Sequence, residues 1–197
     1  MDVQVTKYNV HGRFFLFLLI TISMSLSAQN FSADRDLFDA YQREDMTVWR
    51  NHIDSVSDLL YEYGYCGYIV DADKTAAKPY VARFRQHVQA AKAQLPPGHY
   101  QMYMSAVYVY ELRLRESFHP AKAMSLAKEA TKIAPDDPLV LAYYGTSLFY
   151  APKPFGSKKE ALLYFEKAAR LFKDPKWQYC WVRKATEMYI RLCQNGS

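Results

Sequence analysis

Apolar residues recur at steps of three and four along most of this chain, and that spacing predicts helices. Leu37, Phe38 and Tyr41 share one face of the segment Ser32 to Arg43, with Asp34 placed to cap it. Glu44 and Asp45 make a short break before Met46 to Ser57, where Met46, Trp49, Ile53 and Val56 form the next apolar face. Asp58 to Val70 is densely aromatic and interrupted by Gly64 and Gly67. Glycine inside a helix costs about 1 kcal/mol relative to alanine, so a packing reason is expected there. A buried strand over Tyr68, Ile69 and Val70 is the alternative. Asp71 to Thr75 reads as a turn, and a helix starts near Pro79, because proline is tolerated in the first turn. It carries Val81, Phe84, Val88, Ala91 and Leu95 and stops at Pro96-Pro97-Gly98.

The second half is more regular. His99 to Glu116 predicts one helix and Pro120 opens its partner, which carries Ala123, Ala127 and Ala130 and is followed by Pro135. Asp137 caps the next helix, with Pro138 in its first turn. Ser157 to Glu160 is a capping box. Asp174-Pro175 repeats the start signal for a last helix, Lys176 to Cys193, with Trp177, Trp181, Ala185, Met188, Tyr189 and Leu192. Asn195, Gly196 and Ser197 are expected to fray. The pattern predicts about nine helices, paired as hairpins.

In Pro138 to Leu171, Leu141, Tyr144, Gly145 and Leu148 take the spacing W-x-x-L-G-x-x-Y, and Ala161 and Phe165 supply A-x-x-x-F. This stretch resembles the tetratricopeptide repeat (TPR) family. Leu141 stands where the family has an aromatic residue. The loop Ala151-Pro-Lys-Pro-Phe-Gly156 makes the unit about four residues longer than the usual ~34, and this P-x-P-F-G turn resembles those of small secreted bacterial TPR proteins. The resemblance implies an all-α array of antiparallel hairpins stacked as a short right-handed solenoid. It places a structural seam at Leu141, Tyr144, Gly145, Leu148, Ala161, Phe165 and Ala168. Counting back about 34 residues from Pro138 starts the preceding unit at Met104, with Glu111 at the glycine position. Leu60, Tyr63 and Gly64 fall where an earlier seam would lie. The clearest repeats are then 104–137 and 138–175, and a helix over 176–193 caps the last seam.

The N-terminus changes the setting. Lys7 and Arg13 precede the apolar run Phe14 to Ile22, and Ser25-Leu26-Ser27-Ala28 offers small residues for cleavage. Residues 1–28 therefore read as an export signal and 29–197 as the mature helical domain. The apolar run covers only about 20 Å as a helix, against a hydrocarbon core of about 30 Å. No stable membrane span is expected; an uncleaved N-terminal anchor is the alternative. The mature protein would be periplasmic or secreted.

Composition adds little that alters this picture. Half the residues are hydrophobic, and the 17 tyrosines suit both helix seams and wet grooves. Formal net charge is +5, and removing residues 1–28 takes away Lys7, Arg13 and Asp2 to leave +4. The charges are interspersed, and an exported chain meets little nucleic acid, so the excess reads as solubility or attraction to acidic surfaces. Cys180 and Cys193 lie thirteen residues apart in what reads as one helix, a rise of about 20 Å that no disulfide bridges. Three mostly buried thiols are expected.

Motifs for chemistry are absent from the sequence: no phosphate loop, dinucleotide fingerprint, H-E-x-x-H or G-x-S-x-G occurs. His52, His87, His99 and His119 have no neighbours at metal-ligand spacing. Asp71 and Asp73 read as caps or solvated turn residues, and Cys66 as a small hydrophobe. No cofactor or metal is implied.

What remains is surface. The family resemblance implies a concave groove lined by the first helices of successive repeats. Its non-seam positions are Tyr108, Leu112 and Arg115 in one unit and Ala142, Tyr143, Thr146 and Tyr150 in the next. These rings beside an arginine would anchor a protein or peptide partner, or they pack on a neighbouring helix. On the groove reading, truncating Tyr143 or Arg115 weakens capture and spares the fold. The leading expectation is a non-enzymatic interaction scaffold of the bacterial cell envelope. A small-ligand carrier with an enclosed helical channel is the alternative, favoured by a closed apolar cavity; an open groove favours the scaffold. An enzyme is the third reading.

Overall fold

The computed structural model describes residues 34–195. Among these the chain is all α-helical, with nine helices and one 3-10 turn, and each helix packs on its neighbours in sequence. The helices are α1 (34–42), α2 (Met46–Ser55), α3 (Leu59–Ala72), α4 (Lys74–Ala90), α5 (His99–Leu114), α6 (Pro120–Ile133), α7 (Pro138–Tyr150), α8 (Lys158–Leu171) and α9 (Trp181–Asn195). Tyr68, Ile69 and Val70 are helical, so the strand alternative is excluded. The export signal over 1–28, Gly196 and Ser197 lie outside the described residues.

The helices form two layers. Hairpins α3/α4, α5/α6 and α7/α8 stack in order, and α3, α5, α7 and α9 also touch one another successively. The sequence shows why these are the inner helices. Helix α7, PLVLAYYGTSLFY, carries no charged residue and buries Pro138 to Gly145 without interruption. A helix apolar on every side is stable only with neighbours on every side. Helices α6 and α8 bury single stripes instead: Ala123, Ala127 and Ala130 in α6, and Ala161, Phe165 and Ala168 in α8. They form the outer layer.

The seam positions fall as the spacing predicts. Leu141, Tyr144, Leu148, Ala161, Phe165 and Ala168 are buried. A methyl group on Gly145 would come 2.8 Å from the Phe165 ring, so only glycine leaves α7 and α8 this close. Caps also match. Asp137 accepts hydrogen bonds from the Leu139 and Val140 N–H groups at 2.9 and 3.1 Å, and Ser157 Oγ accepts from Glu160 N at 3.3 Å.

Four boundaries depart from expectation. Helix α4 starts at Lys74, with Pro79 inside it. Asp73 accepts from both Thr75 N and Ala76 N at 3.0 Å, a complete cap, and the buried Ala77 and Val81 hold the turn around the proline. Asp34 lies within α1, and its carboxylate accepts from the Tyr61 hydroxyl at 3.0 Å. Helix α5 starts at His99, so Met104 is a buried mid-helix residue and no repeat boundary. The cap helix proposed for 176–193 is broken: Pro175–Trp177 is a single 3-10 turn and α9 begins at Trp181. A continuous helix would put Trp177 and Trp181 on one face. Instead Trp177 packs edge-on against Phe172 at 5.7 Å, while Trp181 lies 5.3 Å from Trp49 and 5.4 Å from Tyr41. The last helix thus begins against the first hairpin, and the inner layer curves back on itself.

Candidate functional site

The inner helices enclose a concave groove of about 920 Å³. Each presents a stripe with helical spacing. Helix α3 gives Leu60, Tyr63, Gly64, Gly67, Tyr68 and Asp71; α5 gives Met102, Ser105, Ala106, Val109, Tyr110 and Arg113. Helix α7 gives Leu139, Ala142, Tyr143, Thr146, Ser147 and Tyr150, and α9 closes the far wall with Trp181, Ala185, Met188 and Tyr189. The three stripes share one internal rhythm of alternating three-residue and one-residue steps.

Five of the seven expected groove residues line it: Leu112, Ala142, Tyr143, Thr146 and Tyr150. Tyr108 and Arg115 do not. Tyr108 points outward, flanked by Arg85 at 5.1 Å, Lys122 at 4.8 Å and the His119 ring at 5.9 Å. Arg115 is the exposed left-handed residue that ends α5, with φ 60°. The physical reason is register. The stripe recurs after 42 residues, from Gly67 to Val109, and then after 37, from Val109 to Thr146. Counting back 34 slides the α5 assignment by three residues, which carries it almost one turn along the axis and about 60° around it.

Aromatic rings build the floor. Tyr63 stacks on Tyr110 at 6.2 Å and meets Tyr143 and Trp181 edge-on or tilted at 5.8 and 5.7 Å. The tips of Tyr110 and Tyr143 are bound internally, whereas the buried Trp181 Nε1–H has no hydrogen-bond partner among the described residues. The Tyr110 hydroxyl donates to the Tyr63 carbonyl at 2.8 Å; Tyr143 donates to Ser105 Oγ at 2.8 Å, and Ser105 donates to the Ala123 carbonyl at 2.7 Å. Burial pushes Tyr143 up to about 12 and raises Tyr63 and Tyr110 as well, so the floor is uncharged near neutral pH. Thr146 and Ser147 turn their hydroxyls onto the carbonyls of Ala142 and Tyr143. The rim is open and mixed: Tyr68, Tyr150 and Met188 are exposed, and Asp71 and Arg113 form an ion pair between α3 and α5. Tyr150 and Tyr189 share a hydroxyl contact of 3.2 Å. Such a surface can hold apolar and aromatic groups by shape and π contact, with little to offer a charge.

The titratable groups elsewhere are engaged locally. His87 Nδ1 lies 2.7 Å from the buried Glu62 carboxylate; burial pushes that carboxyl up, against the pull of His87. His99 Nε2 lies 3.0 Å from Asp137, and His52 lies 3.6 Å from Asp58. Cys66, Cys180 and Cys193 are all buried; burial raises each thiol, Cys180 to about 11. Among the described residues no group of His, Cys, Asp and Glu is placed to hold a metal ion, and no helix is long and apolar enough to cross a membrane. No family model, curated protein or solved structure matches the chain.

Proposed function

We propose that this protein is an exported, non-enzymatic interaction module of TPR type, which takes an extended, apolar and aromatic-rich segment of a partner protein into its concave groove. The observation that carries the reading is the convergence of three matched stripes, from α3, α5 and α7, on one aromatic-floored groove with an open rim. A volume of about 920 Å³ is within the range that encloses several side chains. Rigid tyrosine and tryptophan rings supply contact area at low entropic cost. Burial raises all three thiols, and no histidine or cysteine is among the residues that line the groove, which supports binding over catalysis. The export reading rests on the apolar run Phe14 to Ile22 and the small residues that follow it. An envelope carrier for a small apolar ligand is the second reading, because α9 closes one wall of the groove.

The test is selection of peptides from a random display library on the immobilised protein, with a Thr146→Lys and Tyr150→Ala double variant as control. Binders rich in apolar and aromatic residues that lose affinity for the variant support the module. Selected binders indifferent to the variant would move the partner surface elsewhere. Failure to select any, with a small molecule seen bound by native mass spectrometry, would establish the carrier.

A further inference from the structure

Both phenylalanines that stand exposed among the described residues lie in hairpin loops. Phe118, 78% exposed, is in the 115–119 loop between α5 and α6; Phe155, 69% exposed, is in the 151–157 loop between α7 and α8. Successive antiparallel hairpins place their connecting loops along one edge of the array. One contact bears this out: Lys78 near the start of α4 pairs with Glu116 at 3.4 Å, which sets the start of α4 beside the 115–119 loop.

The two loops that carry these rings, with the start of α8, are basic; on the same edge Asp71 is held by Arg113 and Asp73 caps α4. Arg115, Lys153 and Lys159 are exposed and form no ion pair among the described residues. Of the acidic residues in the two loops and the first turn of α8, Glu116 is already held by Lys78, which leaves Glu160. Nothing in the groove requires this arrangement, since Phe118 and Phe155 do not line it.

We propose that this edge docks on an anionic lipid surface, with Phe118 and Phe155 inserted as apolar wedges and Arg115, Lys153 and Lys159 at the headgroups. Two projecting rings on convex loop tips suit a deformable bilayer interface. A protein partner would need a pocket for each. Aromatic rings settle at the headgroup level, and unpaired cations beside them add attraction to acidic lipid that fades with salt. The proposal is independent of what the groove binds.

Vesicle co-sedimentation of the full chain tests it, using phosphatidylcholine alone and phosphatidylcholine with phosphatidylglycerol. The wild type should partition preferentially to the anionic vesicles. Phe118→Ser with Phe155→Ser should reduce that partitioning about tenfold or more at an unchanged melting temperature, whereas Phe118→Leu with Phe155→Leu should retain most of it. Lys153→Glu with Lys159→Glu should abolish the preference for acidic lipid. Because every variant keeps the apolar N-terminal run, its own lipid affinity cancels in the comparison. Equal partitioning of wild type and serine variant would overturn the proposal. So would a serine variant whose only change is loss of a dimer in analytical ultracentrifugation, which would make a second copy the occupant.

Discussion

Gly145→Ala tests the seam more sharply than any large substitution. In an exposed helix this exchange stabilises by about 1 kcal/mol, because alanine is the better helix former. Here the new methyl would lie 2.8, 2.9 and 3.1 Å from three atoms of the Phe165 ring. That ring cannot retreat freely. It is fully buried and stacks almost parallel on Tyr189, with centroids 5.1 Å apart and planes at 4°. Overpacking of this kind costs about 1–3 kcal/mol. Setting one against the other, Gly145→Ala should be destabilising by up to about 2 kcal/mol, and Gly145→Leu by more than the alanine variant. Urea denaturation followed by circular dichroism gives both values, provided the m-value is unchanged. A double-mutant cycle with Phe165→Leu supplies the control. Removing the ring should relieve part of the alanine penalty, a coupling of at least about 0.5 kcal/mol. A Gly145→Ala variant more stable than wild type by the full propensity gain would show that α7 and α8 are loosely apposed, and the packing argument would fail.

Tyr143→Ala should lower stability by about 3–5 kcal/mol, since the ring is buried and bonded to Ser105, so a loss of capture in that variant would not by itself identify a groove residue. Arg115→Ala should leave both stability and groove binding unchanged in a thermal melt and a peptide titration, because Arg115 faces solvent at the end of α5. Burial raises the Asp137 carboxyl, but its bonds to His99 and to the Val140 and Leu139 N–H groups outweigh that and hold it below its ordinary 3.8. A depressed carboxylate stabilises above its unfolded value and loses that stabilisation as pH falls through the folded one. Asp137→Ala should therefore cost about 0.5–2 kcal/mol at neutral pH, and the gap to wild type should close below pH 3.8 in parallel acid titrations. Burial raises the Cys66 thiol, so its alkylation by iodoacetamide should be slow in the native protein and should accelerate only across the global urea transition, read by mass spectrometry.

Helix identity and the α7/α8 seam were legible in the sequence because both depend on local spacing. Steps of three and four, Asp137 as a cap and the small Gly145 facing Phe165 are fixed by residues near one another in the chain. The division into inner and outer helices was expected only from the family resemblance; its physical reason is that the charge-free α7 must be buried all round, whereas α6 and α8 with single apolar stripes need only one partner. The groove was half legible. Ala142, Tyr143, Thr146 and Tyr150 follow from the seam on their own helix. Tyr108 and Arg115 failed because the register of α5 depends on how the hairpins stack: the groove stripe recurs after 42 and then 37 residues, although the helix starts at Leu59, His99 and Pro138 are almost evenly spaced. The break after Trp177 was not legible at all. Local propensity favours one helix from Asp174-Pro175 onward, but Trp181 gains more by turning onto Trp49, Tyr41 and Tyr63, residues over a hundred positions away. Contacts that distant carry no local signature, so the tertiary structure alone decided where α9 begins and how the inner layer closes the groove.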